Sequence, residues 1–204
     1  MNLKWSYWVF EKAVPLTFCD EIINFGINQK KKQAFVGDHA PKTKKQQKDL
    51  SKVRNSNISW LSEPWIYEEI NPIITAANRN AGWNFQWDWN EACQFTIYKK
   101  NQFYGWHQDT FLDPFPHNHK NKNLAGKTRK LSMTLQLSDP KEYTGGELEF
   151  GLVTQKNKQY INKLKNPAKG TLVVFPSFVW HRVRPVKKGT RYSLVNWSCG
   201  LPWV

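Results

Sequence analysis

The sequence predicts an α+β fold that is mainly β, an antiparallel barrel or jelly roll with helices packed outside it. Helical patterns come first along the chain, and from Gly82 onward the apolar residues recur in short alternating runs. Strict alternation indicates a strand with one buried face, and it is clearest at Leu131, Met133, Leu135 and Leu137. Helices followed by many short strands favour this class of fold.

Two helices are expected in the first ninety residues. The first covers residues 17–29, where Thr17 starts a sequence that resembles a capping box. The second begins after Ser62 as its capping residue, with Pro64 in the first turn. Pro72 should kink or break this helix, because proline lacks the N–H that a helix interior needs.

Strands are expected where apolar or aromatic residues alternate between turn formers. Residues 111–128, rich in Pro, Asn and Lys, are instead typical of a long loop, and long loops in compact domains often serve as lids or binding loops. The other expected strands cover residues 5–10, 53–60, 85–97, 147–150, 171–175 and 191–197.

Composition indicates a globular protein of a reducing compartment. The chain has 204 residues, 40% of them hydrophobic and 15% aromatic, which suits one well-buried domain and is short for two. No apolar run is long enough to span a membrane, and the first ten residues lack the pattern of a signal peptide. The three cysteines are odd in number and widely spaced, so we expect no disulfide framework and a cytoplasmic setting.

A basic segment, residues 28–54, supplies about half of the net charge of +14, because its eight lysines and one arginine face only Asp38 and Asp49. One interpretation is a solvated loop. The other is a patch for an acidic partner such as nucleic acid, the ribosome or an acidic peptide. Few aromatic residues are interleaved there, so a platform for stacking bases is not indicated.

His107 and Asp109 form the first candidate site. Residues two apart on a strand point to the same face, so this pair can offer an imidazole and a carboxylate to one metal ion. With open positions left, that is the start of a facial triad for non-haem Fe(II), although a pair without metal is the more ordinary interpretation. Downstream, His181 follows an apolar strand and a tight corner and is well placed as a third ligand. The histidines expected to lie solvated in loops are His39, His117 and His119.

The second half of the chain carries a series of motifs in a fixed order. They are Tyr98, residues 104–109, 129–132, 143–148, 170–177, 181–186 and 189–192, and Trp197. In this order they resemble the Fe(II)/2-oxoglutarate-dependent dioxygenase superfamily, in particular its prolyl 4-hydroxylase and PKHD-type hydroxylase branch. The resemblance covers residues 92–198 and is faint before them. It implies a double-stranded β-helix (jelly roll) with N-terminal helices packed outside the barrel.

The resemblance implies a role for each matching residue of the candidate site. His107, Asp109 and His181 would hold the metal, leaving positions for a bidentate 2-oxo acid and dioxygen. Arg191, ten residues after His181, would bind the far carboxylate of 2-oxoglutarate, a task that suits the planar fork of a guanidinium. Tyr98 would assist in binding the same cosubstrate.

On the substrate side, the resemblance implies contacts from Arg129 and Trp197, and a lid formed by residues 110–128. One position departs from the pattern. Several relatives have a tyrosine on the central strand that touches 2-oxoglutarate, and Gln136 stands at that position here.

The implied activity is hydroxylation of a peptide or protein side chain, with proline as the expected target. It would need Fe(II), 2-oxoglutarate and O2, with ascorbate as reductant. Residues 1–204 would form one domain, with residues 1–90 as helical support that includes the basic segment, and residues 91–200 as the catalytic core. The substrate could be acidic or associated with the ribosome, and no membrane is implied.

Two other functions remain open at this point. The charge suggests an oxygenase directed at nucleic acid. Nucleic-acid demethylases of this superfamily usually carry a second arginine six residues after the cosubstrate arginine, where this chain has Trp197. A jelly-roll binding module without catalysis is the other, and an intact set of His107, Asp109, His181 and Arg191 argues against it.

Overall fold

The computed structural model describes residues 5–30, 32–34, 43, 52–153, 158–164 and 167–203. The helices are α1 (Leu16–Asn28) and α2 (Pro64–Asn80). The strands are β1 (Trp8–Phe10), β2 (Lys32–Gln33), β3 (Arg54–Asn55), β4 (Asn57–Leu61), β5 (Trp89–Asn90), β6 (Cys93–Tyr98), β7 (Phe103–His107), β8 (Thr128–Gln136), β9 (Tyr143–Gly145), β10 (Leu148–Val153), β11 (Gln159–Leu164), β12 (Leu172–Pro176), β13 (Trp180–Val183), β14 (Val186–Gly189) and β15 (Arg191–Gly200).

The strands form two larger sheets and a two-stranded ribbon, and the paired strands are antiparallel. The large sheet has the order β1-β12-β8-β15-β6-β4-β2, with β5 paired to β15. The second sheet has the order β11-β10-β13-β7-β3, and the ribbon consists of β14 and β9. The predicted mainly β, antiparallel architecture is therefore confirmed.

Strand β12 shows how the layers are arranged. Leu172 and Val174 belong to the apolar core that includes buried side chains of α1 and α2. Val173 and Phe175, on the opposite face, belong to a second core shared with β10 of the second sheet. Because successive side chains of a strand point to opposite faces, the large sheet is covered by helices on one face and by the second sheet on the other.

Strand β8 is buried on both faces, and the prediction of a half-buried strand is wrong. Leu131, Met133 and Leu135 pack in the core on the helix side, as their alternation predicts. The polar residues between them are not solvated: Ser132 and Gln136 are buried as well. They face the space between the two sheets, so the polar half of this alternation lines an internal surface.

Both helices are present, α1 one residue earlier than predicted and α2 with Pro64 in its first turn as predicted, but the predicted capping residues are wrong. No side chain caps either helix; Pro15 precedes α1 and Glu63 precedes α2 at the N-cap positions. Thr17 is already inside α1, so it forms no capping box, and Ser62 lies outside α2. Helix α2 continues through Pro72 without a break. Pro72 lies on the exposed face, where water can reach the carbonyl that loses its N–H partner.

The strand predicted across residues 85–97 is interrupted. Residues 85–88 are not in a strand, and pairing begins only with β5. The buried amide of Asn78 explains this, since its Oδ1 accepts from the Phe85 N–H and its Nδ2 donates to the Phe85 carbonyl, both at 2.9 Å. A side chain thus occupies the backbone groups that a ladder would need.

Most of the basic segment, residues 31, 35–42 and 44–51, lies outside the described residues, so its predicted loop conformation and His39 lie outside them too. Cys19, Cys93 and Cys199 are free thiols and buried. Within the described part of the chain, no helix has the length and apolar character needed to cross a membrane.

The substitution Gly26→Ala should destabilise the protein. A Cβ on Gly26 would lie 2.6 Å from ring atoms of the fully buried Phe95. Overpacking of this kind costs about 1–3 kcal/mol, which exceeds the gain of up to about 1 kcal/mol from replacing a helical glycine by alanine. Urea unfolding should show a lower free energy of unfolding for Gly26→Ala. The exposed Asn24→Ala in the same helix is the control; a Gly26→Ala protein as stable as this control would contradict the packing described.

Candidate active site

The pairing of β7 with β13 brings two of the predicted ligands together. His107 and His181 are opposite each other in this pairing, and their ring centroids are 4.0 Å apart. The register shifts before the next pair, which joins Val183 to Tyr104. Because of this irregularity, the side chain of Tyr104 lies on the same face of β7 as that of His107. The two rings are stacked, with their centroids 3.5 Å apart.

Asp109 reaches the two histidines from beyond the end of β7. Its backbone N–H donates to the Ser177 carbonyl at 2.8 Å, in the turn between β12 and β13. Its carboxylate places Oδ1 3.7 Å from His107 Nε2 and Oδ2 3.5 Å from His181 Nε2. One ligand atom from each residue lies within 4.8 Å of the others.

Backbone carbonyls fix the orientation of both imidazoles. His107 Nδ1 lies 2.8 Å from the Gly105 carbonyl, and His181 Nδ1 lies 2.9 Å from the Val179 carbonyl. A carbonyl can only accept, so each Nδ1 carries a hydrogen, and the Nε2 atoms of both rings are the ones that face Asp109. Metal-binding histidines are held in this way.

The protonation states also suit a metal. Burial and the neighbouring His181 lower the pKa of His107 to about 3. Burial alone would raise the pKa of Asp109, but the nearby His181, His107 and Arg129 outweigh it and lower the pKa to about 2. The cluster therefore offers neutral imidazole and an ionised carboxylate near pH 7.

The donor set fits a divalent first-row metal such as Fe(II). Asp109 Oδ2 is buried and has no hydrogen-bond partner, which is costly for a carboxylate unless a cation satisfies it. Two imidazoles and one carboxylate on one side of an ion make the facial arrangement of non-haem Fe(II) oxygenases.

Arg191 lies deeper between the sheets, beside a small cavity. It is 4% exposed, lies opposite Tyr98 in the pairing of β15 with β6, and donates from Nη1 to Ser193 Oγ at 3.3 Å. The cavity is also lined by Gln136, Tyr143, Gly146 and Thr171, among others. A buried guanidinium beside a cavity is suited to a carboxylate.

Two buried oxygens beside this cavity, Gln136 Oε1 and Thr171 Oγ1, have no hydrogen-bond partner. Gln136 Nε2 donates to the Tyr143 hydroxyl at 2.9 Å, so a tyrosine from β9 reaches the cavity next to the position where relatives have one. Gly146, with φ +66°, leaves room for Arg191, whose Cδ would be 3.0 Å from a Cβ there. Sequence reasoning missed Tyr143 and Thr171 as cavity residues, although both lie in the quoted motifs.

Arg129 and Trp197 are in contact with each other next to Asp109, and Trp197 is buried. The Arg129 guanidinium lies 4.0 Å above the Trp197 ring and 4.9 Å above the Phe111 ring. Its Nη2 donates to Glu91 at 2.8 Å and its Nη1 to the Asp109 carbonyl at 3.2 Å. Arg129 therefore links an aromatic surface to the backbone of a predicted metal ligand.

Residues 110–127 contain turns and no helix or strand. Phe115 and Leu124 of this segment pack with Cys199 of β15, and Lys127 forms a 2.7 Å ion pair with Asp88. At the other end Leu112 is fully exposed. The later part of the segment is thus packed against the rest of the protein, whereas Leu112 in its earlier part is an exposed apolar side chain.

The loop histidines do not join the cluster of metal ligands. His117 packs beside Gly126, and His119 accepts the Asn121 N–H at 3.1 Å. Two residues near the metal ligands escaped sequence reasoning, Tyr104 and Arg54. The Arg54 guanidinium lies 4.3 Å above the Tyr104 ring, but in the sequence it is one more charge of the basic segment.

The chain belongs to the 2OG-Fe(II) oxygenase superfamily, since residues 93–199 match the model of that family. The relatives and solved structures that it resembles include PKHD-type hydroxylases and prolyl hydroxylases.

Two curated relatives illustrate the match in sequence. A PKHD-type hydroxylase of Pseudoalteromonas atlantica is 36% identical over 104 residues, which cover 51% of this chain and 41% of that protein. The PKHD-type hydroxylase YbiX of Escherichia coli is 38% identical over 103 residues, covering 50% and 40% respectively. The matched region spans less than half the length of these relatives.

Solved structures show the same fold over nearly the whole chain. The viral collagen prolyl hydroxylase of Paramecium bursaria Chlorella virus-1, in complex with 2-oxoglutarate, has a TM-score of 0.64 at 18% identity and covers 97% of this chain and 98% of its own. A Pseudomonas putida prolyl 4-hydroxylase has a TM-score of 0.64 at 19% identity, covering 96% and 92%. A prolyl hydroxylase in complex with a hypoxia inducible factor peptide from Trichoplax adhaerens has a TM-score of 0.68 at 14% identity, covering 95% and 83%.

The metal-free protein should lose stability as the pH falls from 6.5 toward 3. An unfolded histidine titrates near 6.5, whereas His107 in the fold titrates near 3, so between these values the unfolded chain binds the extra proton. The contribution is complete above pH 6.5, and its loss on acidification amounts to at most about 5 kcal/mol. Urea unfolding of metal-free protein across this range should show a shallower decline for His107→Gln than for the wild type. Parallel declines would show that His107 is not buried in neutral form.

Proposed function

We propose that this protein is an Fe(II)- and 2-oxoglutarate-dependent dioxygenase that hydroxylates a peptide or protein side chain, with proline as the target. The observation that carries the proposal is the cluster of His107, Asp109 and His181, whose ligand atoms lie within 4.8 Å of one another. Two further features support it: a small cavity lined by Arg191, and the contact of Arg129 with the aromatic rings of Phe111 and Trp197.

In this proposal His107, Asp109 and His181 hold the metal, and Arg191 binds the far carboxylate of 2-oxoglutarate with Tyr98 alongside. The bound Fe(II) supplies the redox chemistry by which 2-oxoglutarate, O2 and a C–H bond become succinate, CO2 and C–OH. The protein's part is to orient the cosubstrate and exclude water. The buried oxygens beside Arg191 give the enclosed cavity further polar contacts for this task.

The contact between Arg129 and the surrounding aromatic rings supports a peptide substrate. Trp197 lies beside Trp60, with ring centroids 6.1 Å apart, and beneath Arg129. Apolar rings next to a fixed guanidinium can bind a proline ring and a backbone carbonyl together. A nucleic-acid substrate is the second candidate, and the net charge of +14 is the observation that favours it.

Further parts of the proposal concern the setting of the enzyme. Residues 1–204 act as one catalytic domain, with residues 91–200 as its core. Ascorbate serves as the reductant that keeps the iron in the ferrous state. The three free thiols favour a reducing location such as the cytoplasm.

Asp109→Asn should abolish 2-oxoglutarate turnover. The substitution removes the only carboxylate of the cluster, so we expect at least about a hundredfold lower succinate formation. Purified protein with Fe(II), ascorbate, 2-oxoglutarate and pools of peptides or oligonucleotides provides the assay, and mass spectrometry locates the added oxygen. Asp113→Asn, an exposed carboxylate in the nearby loop, is the matched control. Wild-type protein that consumes no 2-oxoglutarate with any pool would refute the oxygenase function, and turnover with oligonucleotides alone would refute the peptide substrate.

We further propose that residues 110–128 form a lid over the substrate. Leu112→Ser should then raise the KM for a peptide by about tenfold, because burial of leucine on closure is lost. Uncoupled decay of 2-oxoglutarate should change little. Lys120→Ser, also exposed in this loop, is the control, and deletion of the loop is the stronger variant. Equal losses of peptide turnover and uncoupled decay would refute the lid.

A further inference from the structure

Arg54 is a buried cation that has no carboxylate partner among the described residues. Its side chain is 6% exposed, its Nε donates to Ser56 Oγ at 3.1 Å, and its Nη2 is buried with no hydrogen-bond partner. Among the ion pairs of the described residues, none involves this guanidinium. A buried guanidinium without an anion is expensive to maintain, and a position over an aromatic ring offsets part of that cost only.

Other arginines of the interior have the carboxylate partner that Arg54 lacks among the described residues. Arg129 is paired with Glu91 and Arg182 with Glu149. In the described part of the chain, the arginines that are buried and lack a carboxylate partner are Arg54 and Arg191. Arg191 is the residue that the proposed function assigns to a carboxylate of 2-oxoglutarate. Arg54 is therefore a second buried guanidinium that lacks a carboxylate partner in the described part of the chain.

A single aromatic ring, that of Tyr104, separates Arg54 from the predicted metal ligand His107. The Tyr104 ring is stacked on His107 at 3.5 Å with an interplanar angle of 13°. At that distance the imidazole occupies one face of the ring, so the Arg54 guanidinium, 4.3 Å from the ring centroid, lies over the other face. Burial raises the pKa of the Tyr98 hydroxyl, and the charge of Arg54 opposes this rise, so Arg54 also lies near the cosubstrate side.

Arg54 is separate from the cavity around Arg191. The residues that line that cavity come from β8, β9, β10, β12 and β15 and the segments next to them, and they do not include Arg54 or Tyr104. Arg54 instead enters from β3, at the edge of the second sheet, where it is paired with Tyr104 of β7. A carboxylate that binds Arg191 in this cavity therefore cannot also bind the guanidinium of Arg54.

We propose that Arg54 forms a second carboxylate subsite of the active site, occupied only when a ligand is bound. The proposal rests on the proposed function for the identity of the ligands. The carboxylate is either the one next to the keto group of 2-oxoglutarate or an acidic side chain of the peptide adjacent to the hydroxylated residue. Either group would accept from the free Nη2 in a charge-assisted hydrogen bond.

Binding measurements on protein loaded with Mn(II), in the absence of oxygen, test the proposal without turnover. The probes are 2-oxoglutarate and two proline peptides that differ by Asp or Asn beside the proline, each titrated by calorimetry. Arg54→Met should weaken either 2-oxoglutarate binding or the preference for the Asp peptide by at least about tenfold. Arg54→Lys, which keeps the charge but loses the planar fork, should lie between Arg54→Met and the wild type. Arg79→Met, at the exposed end of α2, removes the same charge and should leave both unchanged.

The titrations with 2-oxoglutarate and with the two peptides together identify the source of the carboxylate. Weaker 2-oxoglutarate binding with an unchanged peptide preference assigns the subsite to the cosubstrate, and the reverse assigns it to the peptide. Thermal unfolding of the metal-free and ligand-free protein provides the structural readout. Because Arg54 lacks a carboxylate partner among the described residues, Arg54→Met should melt no lower than the wild type.

A lower melting temperature for Arg54→Met, with both ligand affinities unchanged, would show a purely structural arginine and overturn the proposal. No change in any readout would overturn it as well. Failure of the proposed function is a different result, since it appears as wild-type protein that forms no succinate under turnover conditions.

Discussion

The pairing of β7 with β13 is the interaction on which the site depends. It sets His107 opposite His181, and the turn before β13 provides the Ser177 carbonyl that accepts from the Asp109 N–H. All three side chains are therefore positioned by backbone hydrogen bonds of one sheet and its adjoining turn. A site built on strands in this way keeps its ligand geometry before the metal arrives, which reduces the cost of binding it.

The two sheets contribute different parts of the site. The second sheet carries the predicted metal ligands, whereas the large sheet carries Arg191, Tyr98 and Gln136. This division explains why β8 is buried on both faces. Its apolar residues pack toward the helices, and its polar residues face the cavity that would receive the cosubstrate. Polar groups that line an internal binding surface are tolerated there because a polar ligand can satisfy them.

Sequence reasoning succeeded where a signal is local or where the family resemblance supplied it. The alternation at Leu131 is a property of a single strand, and the structure contains it. His107 and Asp109 do lie together, but Asp109 follows the end of β7, so the prediction that both lie on one strand is wrong. Sequence reasoning failed where distant segments decide the outcome. The Asn78 side chain prevents a strand at Phe85, and the register shift that turns Tyr104 toward His107 depends on the partner strand. No local pattern could have shown that Arg54 is buried there.

The charge balance of the interior connects these features to the choice of substrate. Arg129 and Glu91 neutralise each other, which leaves the arginines Arg54 and Arg191 against the carboxylate of Asp109. A divalent metal and the dianion 2-oxoglutarate bring equal and opposite charges, so one positive charge remains uncompensated inside a site of low dielectric constant. A substrate with an acidic group near the reacting carbon would neutralise it, and the net charge of +14 on the whole chain would favour the approach of the same substrate.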